Sequence, residues 1–162
     1  MTFSASVKEE LEGIISPARH CQIAELAAMF AFGGEIKYGA EKRLSLHFLA
    51  ENESVARKYF TLLEKTFRIS KVFSIGDVLY RKNNKYVVDI PGEDEAIRIL
   101  QAMKYLSQDR MPITFNGLVN PLIIQKNCCK RAFLRGAFLC AGSISDPEKF
   151  YHFEIVCTSS IK

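Results

Sequence analysis

Apolar positions recur along the chain with two periods, and each switch between them marks an element. Ser6 and Glu9 form a capping-box pattern, and Leu11, Ile14 and Ile15 follow at helical spacing. This predicts an N-terminal helix that Pro17 ends. A second helix is predicted from about Arg19 to Phe32, rich in Ala, Leu and Met, with Gly33-Gly34 as its stop. Ile36 to Tyr38 and Leu44 to Leu49 read as the arms of a hairpin. In the second arm Leu44, Leu46 and Phe48 alternate with Arg43, Ser45 and His47, so one face is apolar and the other polar. Asn52 stands where a cap belongs for a third helix ending near Arg68, with Val55, Tyr59, Leu62, Leu63 and Phe67 on its apolar side.

A second hairpin is expected with arms Lys71 to Leu79 and Tyr86 to Ile90 and with Arg81-Lys82-Asn83-Asn84-Lys85 at its tip. Glu93 to Leu106 predicts an amphipathic helix with Ala96, Ile99, Leu100 and Met103 inward. The order to this point is α-α-ββ-α-ββ-α. Pro112, Asn116-Gly117 and Asn120-Pro121 make the following stretch a connector. Another helix rich in Ala, Leu and Phe is expected from near Asn127 to Gly142. Phe150 to Val156 reads as a strand with little to pair with beyond Ser143-Ile144.

Two of these helices are copies of each other. Leu26 to Ile36 aligns with Leu134 to Ile144 at a constant offset of 108, with identities at Leu26/Leu134, Phe30/Phe138, Gly34/Gly142 and Ile36/Ile144. Ala24 and Ala28 share one helix face, and Ala132 and Gly136 occupy the matching places. Small residues four apart let two helix backbones approach closely, so the pair is expected to pack about a pseudo-two-fold axis. A glycine after each helix is expected to let the chain turn sharply into a strand.

A short helix of this kind, ending at a sheet and repeated about a hundred residues later, resembles the LAGLIDADG fold. More closely, Lys130 to Leu139 followed by Ala141 to Lys149 resembles the second motif of WhiA-type regulators, as Phe3 to Leu11 resembles that family's start. The resemblance implies an α+β fold. It would hold one αββαββα repeat and the start of a second, with helices on one face of a curved antiparallel sheet. The expected divisions are an N-terminal helix (1–16), a first repeat (17–110), a connector (111–126) and an incomplete second repeat (127–162). The family is similar to transcription and cell-division regulators of Gram-positive bacteria, linked to sporulation and chromosome segregation. Its members add a C-terminal helix-turn-helix domain, so a truncated gene product is expected here, and independent operator recognition is placed in doubt. A half-finished second repeat can expose apolar surface, which makes a homodimer through the motif helices one expectation.

Composition changes this picture little. Apolar residues are 48% and charged residues 25% of the chain, as in a folded globular protein. The longest strongly apolar run, Ile23 to Phe32, contains Glu25 and is too short to span a bilayer, and no leader pattern opens the chain. The expectation is a cytoplasmic, nucleoid-associated protein without membrane contact. Cys21, Cys128, Cys129, Cys140 and Cys157 are odd in number and contain no C-x-x-C, so they are expected to be core thiols rather than disulfides or zinc ligands.

Charge is uneven. Residues 36–89 hold eleven basic and six acidic side chains, and residues 126–162 hold six and three, which hints at an anionic partner. On the implied fold that partner is double-stranded DNA, met by the open sheet face. Strand alternation selects Arg43, Ser45 and His47 there, with Lys37 and Lys42 near the first tip and Arg81, Lys82 and Lys85 at the second. Lys149 repeats Lys42. Such contacts give affinity and salt dependence more than sequence choice. Lys130, Arg131 and Arg135 lie on the second motif helix, where DNA, another domain and solvent remain alternatives.

A LAGLIDADG nuclease needs an acidic residue at the end of each motif helix to hold divalent metal. Those positions are Gly33 and Ala141, so the resemblance implies a non-enzyme with no metal or cofactor. Glu35 and Asp146 are the nearest carboxylates, but Glu35 matches Ser143, and Asp146 before Pro147 suits a turn. The alternatives are a protein-interaction module that has lost DNA binding, and a residual nuclease.

Overall fold

The computed structural model describes residues 2–39, 41, 43–69 and 73–157. Its elements are α1 (Phe3–Glu12), α2 (Arg19–Gly33), β1 (Gly34–Tyr38), β2 (Leu44–Ala50), α3 (Glu53–Phe67), α4 (Ile75–Val78), β3 (Leu79–Lys82), β4 (Lys85–Ile90), α5 (Glu93–Ala102), α6 (Asn127–Ala141), β5 (Gly142–Ile144) and β6 (Phe153–Ile155). The first four strands form an antiparallel sheet in the order β1-β2-β4-β3, and β5 and β6 form a separate pair. The fold is α+β.

Leu46, Phe48 and Ala50 of β2 and Val88 and Ile90 of β4 point into the core, where they meet buried side chains of α2, α3 and α5. Phe48 stacks on Tyr59 of α3 with ring centroids 4.0 Å apart. Ser45, His47 and Leu49 of β2 and Lys85, Val87 and Asp89 of β4 form the opposite face, on which Val87 is buried. The 3.6-residue and two-residue periods of the sequence therefore meet in one core.

The motif helices α2 and α6 pack against each other along their small-residue faces. Ala24 and Ala28 are fully buried and Ala132 nearly so. At Gly136 an added Cβ would lie 2.5 Å from the Glu25 carbonyl oxygen and 3.1 Å from the Ala28 Cβ, so the helices touch through main chain. Both helices then end alike. Gly34 and Gly142 have φ near −96° and −95°, and each donates its N–H to the carbonyl of the phenylalanine four residues back, Phe30 and Phe138. Extended backbone of that kind suits any residue, which corrects the expectation that glycine is there for a special turn. The reason is space: a Cβ at either glycine would lie 2.1 Å from its phenylalanine ring.

A buried ionic cluster ties four helices together. Glu25 of α2 is wholly buried, with Arg135 of α6 2.8 Å from its Oε1 and Lys58 of α3 3.3 Å from its Oε2. The Lys58 approach is an ion pair without hydrogen-bond alignment. Its ammonium instead donates to the carbonyls of Leu11 and Ile14 where the chain leaves α1. Burial pushes the Lys58 pKa down while Glu25 pulls it up. Arg135 also donates to the Ser16 hydroxyl at 2.8 Å, so this arginine serves the interior and not the solvent.

Three local expectations fail. The first helix is capped by Thr2, whose hydroxyl accepts from the Ala5 N–H, and Ser6 lies inside it. The start of the arm expected from Lys71 lies outside the described residues, and from residue 73 onward strand begins only at Leu79, because Ser74 and Asp77 form a capping box that starts the one-turn helix α4. Finally, α5 stops at Ala102 rather than Leu106, and the chain turns through Lys104 at positive φ.

Candidate nucleic-acid interface

The register of the sheet decides which side chains share the exposed face. Glu35 pairs with His47 and Lys37 with Ser45 between β1 and β2, and His47 pairs with Asp89 and Leu49 with Val87 between β2 and β4. Tyr80 pairs with Val87 and Lys82 with Lys85 between β3 and β4. Directly opposed residues point the same way, so Lys37, Ser45, His47, Lys82 and Lys85 lie on one face. Glu35, Asp89 and Tyr80 stand among them.

The β3–β4 tip is a two-residue turn. Asn83 and Asn84 both have positive φ, 52° and 64°, which fits the right-handed twist of a hairpin and suits asparagine. Alternation therefore runs through Arg81 and Lys82 without a break. Lys82 and Lys85 face each other across the strands, both exposed, an arrangement of like charges that disfavours the hairpin unless an anion relieves it. Arg81 points to the other face, which corrects its grouping with them. It lies 5.6 Å from the centre of the Tyr86 ring and donates to Asn84 Oδ1 at 3.4 Å, bracing the turn from behind.

His47 does not stand alone either. Its Nδ1 pairs with Asp89, whose other oxygen accepts from the Tyr80 hydroxyl at 2.5 Å. That bond raises the Tyr80 pKa above its ordinary value. The chain His47–Asp89–Tyr80 crosses three strands and fixes a polar row at the middle of the face. Asp89 and Tyr80 were missed because strand register is not visible in the sequence.

At the first tip Arg43 lies 3.6 Å from Glu41, both largely in solvent, so the pair adds little stability and leaves the guanidinium accessible. Lys42 lies outside the described residues. Lys149 is exposed on the turn between β5 and β6, where Asp146 accepts from the Glu148 N–H. Lys130 and Arg131 are exposed on α6.

Gly33 and Ala141 are the last residues of α2 and α6. A Cβ at Gly33 would lie 2.7 Å from the Leu49 carbonyl oxygen and 2.8 Å from the Phe48 ring. A side chain there would force the Leu49 main chain and the Phe48 ring to move. Glu35 is exposed two residues further on, beside His47.

The profile of the WhiA N-terminal LAGLIDADG-like domain matches residues 19–105, and that of the WhiA LAGLIDADG-like domain matches residues 130–161. This chain belongs to the WhiA family. It is 40% identical over 157 residues to the "Probable cell division protein WhiA" of Desulforamulus reducens, covering 96% of this chain and 48% of that one. The protein of the same name from Lachnoclostridium phytofermentans is 42% identical over 164 residues, covering 96% and 50%. The chain thus spans about half the length of the curated relatives it matches. Among solved structures, full-length DUF199/WhiA from Thermatoga maritima aligns with a TM-score of 0.62 at 23% identity, covering 96% of this chain and 44% of that one. The N-terminal LAGLIDADG domain of DUF199/WhiA aligns with a TM-score of 0.61 at 21% identity, covering 95% and 65%. These structures share the fold. No helix among the described residues is long and apolar enough to cross a membrane.

Proposed function

We propose that this chain is a non-cleaving DNA-binding platform of a WhiA-type regulator that acts in transcription control of cell division, sporulation and chromosome segregation. The observation that carries the reading is the exposed sheet face. Lys37, His47, Lys82 and Lys85 share it, and the opposed lysines at the second tip are built to meet a phosphate backbone. The close packing of the Leu49 main chain and the Phe48 ring on Gly33 supports the absence of nuclease chemistry, because a metal-holding carboxylate there would have to displace them.

Fluorescence anisotropy with a duplex across a salt series tests this. Replacing Lys37, Lys82 and Lys85 by Ala should weaken binding at low salt and flatten the slope of log K against log salt by about 3, at roughly 0.9 per lost phosphate contact. An unchanged slope would refute the surface assignment.

A second reading has its own observation. Leu134 of α6 and Phe150, Tyr151, Phe153 and Val156 around β6 are large, apolar and exposed. Exposed apolar side chains of this kind suit a protein partner or further chain of the same family. Capture of a partner that survives high salt and nuclease treatment, together with unmeasurable duplex binding, would favour it.

A further inference from the structure

The N-terminal ends of the two motif helices bring four metal-ligating side chains together. His20 and Cys21 lie in the first turn of α2, and Cys128 and Cys129 in the first turn of α6. One donor atom from each lies within 4.8 Å of the others. His20 Nδ1 is 3.2 Å from Cys129 Sγ, 3.5 Å from Cys21 Sγ and 4.0 Å from Cys128 Sγ. In a tetrahedron with Zn–N bonds of about 2.0 Å and Zn–S bonds of about 2.3 Å, the N···S edges are about 3.5 Å, so only small side-chain shifts separate this cluster from a coordination shell.

We propose that His20, Cys21, Cys128 and Cys129 form a structural zinc site, a Cys₃His centre that clamps the N-terminal ends of α2 and α6. Four further observations support it. The two pairs are related by the same offset of 108 that relates the helices, so the site lies where the pseudo-symmetry brings equivalent turns together. Three thiolates and one Zn²⁺ leave a net charge of −1, and the centre sits at two helix N-termini with Lys126 beside it, all of which favour an anion. Burial grades suitably: Cys21 and Cys129 are buried, Cys128 is half-buried and His20 is exposed. His20 and Cys129 also line a cleft of about 510 Å³, which gives an ion a route in.

All four positions of the tetrahedron come from the protein, so the metal is a staple and not a catalyst. It holds together the ends of α2 and α6 remote from the sheets, as the backbone contact at Gly136 holds their middles. On this proposal three of the five cysteines serve as ligands in place of the core-thiol role expected from the sequence.

The test uses the 162-residue chain purified under reducing conditions. Metal analysis should find one zinc per chain. After chelation, Co²⁺ should produce the intense visible bands and sulfur-to-metal charge transfer of a tetrahedral thiolate site. Cys128→Ser and His20→Ala, at the accessible positions, should each weaken zinc binding about 100-fold or more, since loss of a ligand costs at least as much as loss of its supporting partner. Cys157→Ser, outside the cluster, should bind zinc normally. Zinc absent from the reduced chain together with no cobalt spectrum would overturn the proposal, as would variants that bind as tightly as the parent. A disulfide among these cysteines in place of metal would overturn it too. If the variants unfold, the cobalt spectrum of the parent chain decides.

Discussion

Gly136→Ala puts a single methyl group where α6 touches α2. The new Cβ would stand 2.5 Å from the Glu25 carbonyl oxygen, about 0.9 Å short of the 3.4 Å where ordinary contact begins. Its second neighbour, the Ala28 Cβ at 3.1 Å, is also fixed to the helix. Neither can rotate away, so the two helices must separate or slide. Alanine raises helix propensity by about 1 kcal/mol over glycine, while overpacking a filled contact costs about 1–3 kcal/mol. Because both neighbours are fixed, the overpacking cost lies in the upper part of that range, about 2–3 kcal/mol, and the expected net loss is about 1–2 kcal/mol. Urea unfolding should show a lower midpoint at constant slope, and the melting temperature should fall by about 3–6 °C in a chain of this size. Gly136→Val, with two further heavy atoms beyond that methyl, should lose about 3 kcal/mol or more. A Gly136→Ala protein as stable as the parent, or more stable by the propensity gain alone, would refute backbone contact between the helices.

Glu25→Gln leaves Lys58 buried with no counter-charge and should destabilise by about 3–5 kcal/mol, read by urea unfolding; a loss below about 1 kcal/mol would mean that the cluster is not buried. Gly33→Asp restores the motif carboxylate but forces it against the Leu49 main chain, so it should cost about 1–3 kcal/mol and yield no Mg²⁺-dependent cleavage of plasmid. Cleavage by that variant would show that the helix end is more open than described.

What the sequence revealed and what it hid follow from one distinction. The repeat was legible because Phe30/Phe138 and Gly34/Gly142 are local solutions to one steric problem, solved twice at a constant offset. Small residues at 24, 28, 132 and 136 announced the helix contact for the same reason. Arg81 was misplaced because a five-residue tip and a two-residue Asn83-Asn84 turn fit the same letters, and only the turn's positive φ values fix the alternation. The Glu25–Lys58–Arg135 cluster and the His47–Asp89–Tyr80 row join residues from distant segments, and no local pattern marks either. The four metal-type ligands escaped because zinc spacing is sought within one segment. Here it is written across the repeat, His20-Cys21 against Cys128-Cys129.

The most direct test of the helix pair at the centre of the fold is a carbon-edited NOE spectrum of the labelled chain. With the Ala28 methyl carbon 3.1 Å from where a Gly136 Cβ would stand, a strong cross-peak should join the Ala28 methyl protons to the Gly136 α protons. Its absence, with the Ala28 methyl showing contacts only within its own helix, would contradict the packing of the two motif helices.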